Sequence, residues 1–301
     1  MVVTKGTIGY CSGIKRALKM VEEAVDKYGK VNVLGDLVHN RTVVDALSAK
    51  NITKIESIDQ IDAPIVATTT HGATPEIFKE ISARGVELLD TTCPQVRKAQ
   101  DLIASLDDYF VVIFSDGRVY PHPEVKSYLG YLKDGTSVFG FDRLNKIPDS
   151  TNKVAVVSQT TVLEDNYYSF IRSISLPRKE VRIFNTICPE VIKRQKEVKS
   201  MAKTVDSMLI VGSFRSNNTN SLWEASMFIN PNSCYIEDEN DIPKHRNLGT
   251  EIGIAAGTST PPEVILEIER RLKSQPPTAE AGESTEGKTF SESNRGSATH
   301  R

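Results

Sequence analysis

Cys93-Pro94-Gln95-Val96-Arg97-Lys98-Ala99-Gln100 and Cys188-Pro189-Glu190-Val191-Ile192-Lys193-Arg194-Gln195 share five side chains at fixed offsets: cysteine, proline, valine, lysine and glutamine. Each copy follows an apolar run, so one supersecondary unit is used twice. A third, weaker copy is Cys11-Ser12-Gly13-Ile14-Lys15-Arg16, where Ile14 stands at the offset of Val96 and Val191. In all three the cysteine precedes an amphipathic helix. The free N–H groups and dipole of a helix start favour negative sulfur, so Cys11, Cys93 and Cys188 are expected to act together as thiolate ligands.

A chain of 301 residues can hold more than one domain, and the repeat argues for three around a shared centre. The expected units are 1–92, 93–187 and 188–273, each α/β. Residues 274–301 are expected to be a disordered tail, because that stretch is rich in Ser, Thr, Gly and Glu and its only large apolar residue is Phe290. A formal net charge of −2 offers no basic surface for nucleic acid. Nothing approaches membrane-spanning length, and Met1-Val2-Val3-Thr4-Lys5 lacks a signal-peptide core, so the expected location is cytoplasmic. There, scattered cysteines read as ligands, catalytic groups or core residues rather than disulfides.

Helical spacing runs from Ile14 through Ala17, Leu18, Val21, Ala24, Val25 and Tyr28, with Gly29 placed as a stop. Thr74-Pro75 supplies an N-cap and first-turn proline for a helix through Ala83. Strands are expected at 31–34, 65–67, 86–89, 109–114, 154–157, 181–184, 208–211 and 252–255, with helical segments between most of them. This alternation implies parallel sheets covered by helices, with functional groups in the loops after strand ends.

Six polar clusters stand at such ends: His39-Asn40-Arg41, His71-Gly72, His122-Pro123-Glu124, Gln159-Thr160-Thr161, Ser216 through Asn220, and Gly257 through Pro261. The last two follow strands and precede helices, where N–H groups and hydroxyls bind anions. Glu124 reads equally as a solvated first-turn residue and as a proton carrier. Cys234 lacks the helix-start context and reads as a packing residue, and His245 and His300 as surface groups. There is no Gly-x-Gly-x-x-Gly after a strand, no P-loop and no Cys-x-x-Cys. Three cysteines fit zinc, which usually gains a fourth protein ligand, or an iron–sulfur cluster with one open iron.

These motifs, in one order from Gly9 to Pro261, resemble those of the 4-hydroxy-3-methylbut-2-enyl diphosphate reductase family, iron–sulfur enzymes of the non-mevalonate isoprenoid pathway. The resemblance rests on Gly9-Tyr10-Cys11-Ser12-Gly13-Ile14, Val38-His39-Asn40-Arg41, His71-Gly72, Thr92-Cys93-Pro94, His122-Pro123-Glu124-Val125, Gln159-Thr160-Thr161, Ile187-Cys188 with Arg194-Gln195, Gly212 through Asn220, and Ala256 through Ser259. It implies a trefoil of three pseudo-repeated α/β domains around a central [4Fe–4S] cluster held by Cys11, Cys93 and Cys188. It also implies that His39, His71, His122, Ser216, Asn218 and Ser259 bind an allylic diphosphate, with Asn217 where the family commonly has serine. Thr160 would lie near the substrate hydroxyl, Glu124 would relay protons, and ferredoxin or flavodoxin would donate electrons. Some positions depart from the family pattern: Lys126-Ser127 replaces Glu-Gly, 115–121 replaces a Gly-His-Ala-Gly approach, Val191 replaces a threonine, and the closing segment differs. These departures keep open a second expectation, a metal- or cluster-containing diphosphate sensor without turnover.

Overall fold

The computed structural model describes residues 2–38, 40–116, 122–133, 147–148, 150–174, 180–243 and 247–274. The chain begins with β1 (Val2–Lys5), α1 (Ser12–Tyr28), β2 (Val31–Leu34), α2 (Arg41–Ala49), β3 (Ile52–Ile55), β4 (Ile65–Ala67), α3 (Pro75–Ala83) and β5 (Glu87–Leu89). It continues through α4 (Pro94–Ala104), β6 (Phe110–Phe114), α5 (Pro123–Leu129), β7 (Lys153–Ser158), α6 (Glu164–Ser173) and β8 (Glu180–Ile183). The last described part holds α7 (Pro189–Met201), β9 (Ser207–Val211), α8 (Asn217–Met227), β10 (Ser233–Ile236), β11 (Glu251–Ala256) and α9 (Pro262–Ser274).

The strands form three parallel sheets, in the orders β3-β2-β4-β5, β6-β7-β8 and β10-β9-β11-β1. Every residue of β9 is buried, as is every residue of β7 but Lys153, because helices cover their sheets. That is why these strands read as unbroken apolar runs. The stop at Gly29 and the Thr74 cap occur as expected: Gly29 has φ 77°, and Thr74 Oγ1 accepts the Ile77 N–H.

Two expectations change. The unit expected over 1–92 does not begin at residue 1, because β1 pairs along β11 from Val2↔Glu251 to Lys5↔Ile254 and so completes the third sheet. Ser274, the first residue of the tail expected over 274–301, instead ends α9, and 275–301 lie outside the described residues. The sequence reading also passed over β3, β10 and α2.

In each sheet the cysteine-bearing turn follows an edge strand, and the next helix packs wholly or partly on another sheet. β5 leads to Cys93, whose helix α4 buries Val96, Ala99 and Ile103 against Val111, Ile113 and Val157 of the second sheet. β1 leads to Cys11, whose helix α1 buries Ala17 and Val21 against Val31, Val33 and Ile65 of the first. β8 leads to Cys188, and α7 spans two cores, Val191 in the second and Val198 with Met201 in the third. Each cysteine is therefore a joint between units. The repeated motif follows: proline opens the helix, valine packs, lysine is exposed and glutamine is buried. Gln195 Nε2 donates to Val162 O, and Gln100 Nε2 donates to Ser127 Oγ.

Arg194 fastens one joint to another. It is 2% exposed, pairs with Glu190, and donates to the carbonyls of Ala256, Gly257 and Gly9, which lie on the approach to Cys11 and Ser259. Arg194→Lys keeps the charge but loses the planar fork, and should lower unfolding free energy by roughly 1–3 kcal/mol in a denaturant titration.

Candidate functional site

The three joints meet at one cavity. Cys11, Cys93 and Cys188 line it together with His71, His122, Glu124, Thr160, Ser216, Asn217, Asn218 and Ser259. Thus every expected site residue that is described reaches a single space, although they come from all three sheets. His39 lies outside the described residues, as do His245 and His300. Cys234 is buried in the core of the third unit, away from these residues.

Each cysteine is fixed by the same backbone contact. The N–H of Cys93 donates to Thr70 O at 3.0 Å, that of Cys188 to Thr160 O at 2.9 Å and that of Cys11 to Thr258 O at 3.2 Å. The three threonines occupy equivalent turns after β4, β7 and β11, the strands beside β5, β8 and β1. The residues that follow these threonines, His71, Thr161 and Ser259, all line the cavity. Sequence reading found His71 and Ser259 by their chemistry, held Thr258 only as a member of a polar cluster and missed Thr70; both threonines act through their carbonyls.

At Cys93 and Cys188 the surroundings of the ligand-free protein oppose the expected thiolates. Burial pushes the Cys93 thiol up, and the N–H groups of Gln95 and Val96 only partly oppose it; negative charge on Cys11 and Cys188 raises it further. Burial likewise raises Cys188, against the N–H groups of Val191 and Glu190, with Cys11 and Glu124 adding to the rise. The helix starts are present, but burial and mutual repulsion outweigh them. Such thiols ionise when a cation is supplied. Among the described residues, no group of three His, Cys, Asp or Glu side chains is arranged to hold a single metal ion. Space for sulfur coordination is kept by Gly13, where a Cβ would lie 2.9 Å from Cys93 Sγ and 3.8 Å from Cys11 Sγ.

Glu124 is 1% exposed, which excludes the solvated helix-start reading. Its Oε1 accepts from Thr160 N–H and Tyr128 Oη, each at 2.6 Å, and its Oε2 pairs with Thr160 Oγ1 at 3.0 Å. Burial raises its pKa above the ordinary carboxylate range, and the donors from Thr160 and Tyr128 offset only part of that rise. Beside it, His122 Nδ1 accepts the Glu124 N–H at 3.2 Å, which leaves the ring hydrogen on Nε2 while that bond holds. His122 and His71 meet edge to face with ring centroids 5.0 Å apart. Ser127, at a position of departure from the family pattern, is buried and within hydrogen-bond distance of His71 O and Glu124 O.

From the third sheet's part of the lining, Ser216 caps α8, accepting the Thr219 N–H, and its hydroxyl hydrogen remains available to a ligand. Both amide atoms of the neighbouring Asn218 are buried with no hydrogen-bond partner among the described residues. An orphaned buried amide is costly, so a polar ligand in the cavity would relieve it. Asn217 donates to Thr161 O and Oγ1.

The family model described as LytB protein matches residues 2–273. The chain is 33% identical over 268 residues to the 4-hydroxy-3-methylbut-2-enyl diphosphate reductase of Geobacter metallireducens, covering 88% of this chain and 94% of that protein. It is 34% identical over 269 residues to the enzyme of the same name from Dehalococcoides mccartyi, covering 87% and 93%. A solved structure of (E)-4-hydroxy-3-methyl-but-2-enyl diphosphate reductase, the terminal enzyme of the non-mevalonate pathway, is similar with a TM-score of 0.66 and 31% identity, covering 91% of this chain and 99% of that one. The Plasmodium falciparum E-1-hydroxy-2-methyl-but-2-enyl-4-diphosphate reductase shares the fold, with a TM-score of 0.82 at 21% identity and coverage of 92% and 89%.

The raised Glu124 pKa has a consequence for stability. The folded protein holds this proton more tightly than the unfolded chain, so its contribution is full below about pH 4.3 and is lost as pH rises through the folded value. Glu124→Gln removes that loss. In ligand-free protein, the stability of the parent chain relative to the variant should fall as pH rises across this window, as read by chemical unfolding at a series of pH values.

Proposed function

The chain belongs to the LytB protein family, and on that premise we propose that it is a 4-hydroxy-3-methylbut-2-enyl diphosphate reductase. The reaction takes up two electrons and two protons, expels the allylic hydroxyl as water, and yields isopentenyl and dimethylallyl diphosphates. This is the last step of the non-mevalonate route to isoprenoids. The observation that carries the reading is the convergence of three joint cysteines, a buried protonatable carboxyl and an anion-binding helix start on one cavity.

The donor set fits a [4Fe–4S] cluster held by Cys11, Cys93 and Cys188, with the cradle left by Gly13 as the supporting geometry. Such a cluster supplies single-electron transfer and one Lewis-acidic iron without a protein ligand. The three sheets with cysteines at their joints support a trefoil arrangement around it, in units bounded near Cys93 and Cys188 and with β1 assigned to the third.

The protein's own groups do the rest. His71, His122, Ser216, Asn217, Asn218 and Ser259 form the diphosphate pocket, with His39 as a further donor. The start of α8 and the unpartnered Asn218 amide favour an anion there. Thr160 orients the substrate hydroxyl, and Glu124 holds the proton that accompanies its departure. Two electrons must come from outside the chain, and a small redox protein, ferredoxin or flavodoxin, meets that need. None of the four cysteines is in a disulfide, and no described helix is long and apolar enough to cross a membrane; a cytoplasmic enzyme is the reading proposed with these features.

Anaerobic purification with iron and sulfide analysis, followed by assay with 4-hydroxy-3-methylbut-2-enyl diphosphate and a chemical one-electron donor, tests the assignment. Cluster and turnover are expected together; a cluster with binding but no turnover would instead mark a sensor. Cys11→Ser, Cys93→Ser and Cys188→Ser should each lose cluster, whereas Cys234→Ser should retain it. Gly13→Ala should lower iron per chain, because the added Cβ crowds Cys93 Sγ. Glu124→Gln should keep the cluster and lose turnover by about a hundredfold.

A further inference from the structure

Glu124 and Tyr128 stand one helical turn apart on α5, so their side chains share a face. Tyr128 is wholly buried in the second core with Val125, Val111 and Ala155, and its one polar atom donates to Glu124 Oε1. Thr160 N–H donates to the same oxygen, whereas Oε2 meets the Thr160 hydroxyl. Two donors aimed at Oε1 make it the carbonyl oxygen of a protonated carboxyl. The acid hydrogen then belongs on Oε2, facing a hydroxyl that both accepts and donates.

We propose that Tyr128 is a positioning residue for the proton source. Its hydroxyl selects the carboxyl oxygen that carries the hydrogen and so directs that hydrogen to Thr160 Oγ1. The proposal rests on Glu124 being the proton source named above. In the transfer, the Oε2–H bond breaks as Thr160 Oγ1 gains this hydrogen, and the original Thr160 hydroxyl hydrogen passes to the departing substrate oxygen. Glu124 is left as a carboxylate, whose charge falls on an oxygen pair already held by Tyr128 Oη and Thr160 N–H, and water afterwards restores the proton. Without Tyr128 the new charge has one donor fewer, so the proton is harder to release. Substrate contacts are untouched, since Tyr128 is not among the residues lining the cavity.

Tyr128→Phe keeps the ring and removes only the hydroxyl. In cluster-loaded protein it should lower kcat about tenfold with KM unchanged, the scale of one hydrogen bond to a charged group. Added to Glu124→Gln, it should change residual turnover no further. Infrared spectroscopy reads the same point without turnover: the protonated-carboxyl C=O band, identified by its loss in Glu124→Gln, should move to higher frequency in Tyr128→Phe as its oxygen loses a donor. An unmoved or absent band, an unchanged kcat in an otherwise active enzyme, or a further loss in the double variant would overturn the proposal. A shifted band in a protein that does not turn over this diphosphate would uphold the proton placement and reject the reaction instead.

Discussion

Three hydrogen bonds between a cysteine N–H and a threonine carbonyl hold this molecule's centre. In each, a strand-end turn grips the residue that follows the neighbouring edge strand: Thr70 to Cys93, Thr160 to Cys188 and Thr258 to Cys11. A parallel pair places both strand ends on one side of the sheet, so the contact arises from the pairing itself. Because the following helix packs wholly or partly on a different core, fixing the cysteine also ties two units together. Arg194 and Arg16 reinforce the same joints, Arg194 by donating to Gly9 O and Arg16 by donating to Thr92 O.

Thr160 shows how this frame becomes chemistry. Its carbonyl holds the Cys188 amide, its N–H holds Glu124 Oε1, and its hydroxyl faces Glu124 Oε2. One residue thus sets the distance between Cys188, the proposed cluster ligand, and Glu124, the proposed proton source. A displacement at the end of β7 would move both. Ser127 gives the histidine side a comparable tie, since its hydroxyl lies within reach of the His71 and Glu124 carbonyls while Gln100 donates to it. The Lys126-Ser127 departure therefore adds a polar contact beneath the site.

The parts legible in the sequence are those whose physics is local. Proline after cysteine marks a helix start, valine at the third following position marks a buried face, and doubly covered strands appear as apolar runs such as 208–211. What depended on distant partners was not legible. Val2-Val3-Thr4-Lys5 is short and mixed in polarity, and its partner lies at the other end of the described chain. Glu124 was undecided because burial beneath Tyr128 and Thr160 is a tertiary fact. The thiolate expectation weighed the helix start correctly but could not include the burial and sulfur crowding that oppose it. Five of the six polar clusters supply residues to the cavity lining, because functional groups gather at strand ends in parallel sheets, whereas Asn40 of the sixth does not line it.

The pairing of β1 with β11 also orders events during synthesis. The first strand leaves the ribosome long before residues 251–256 exist, and until then its backbone has no sheet to join. The first two sheets are complete in sequence by residue 183 and can form as they emerge. Cys11, by contrast, reaches its final place only after Thr258 has been made. Closure of this long loop is slow compared with the local contacts that precede it. A nascent chain interrupted before that point would present two anchored cysteines and a third still wandering, so the proposed cluster would have its three ligands together only after Thr258 has been made.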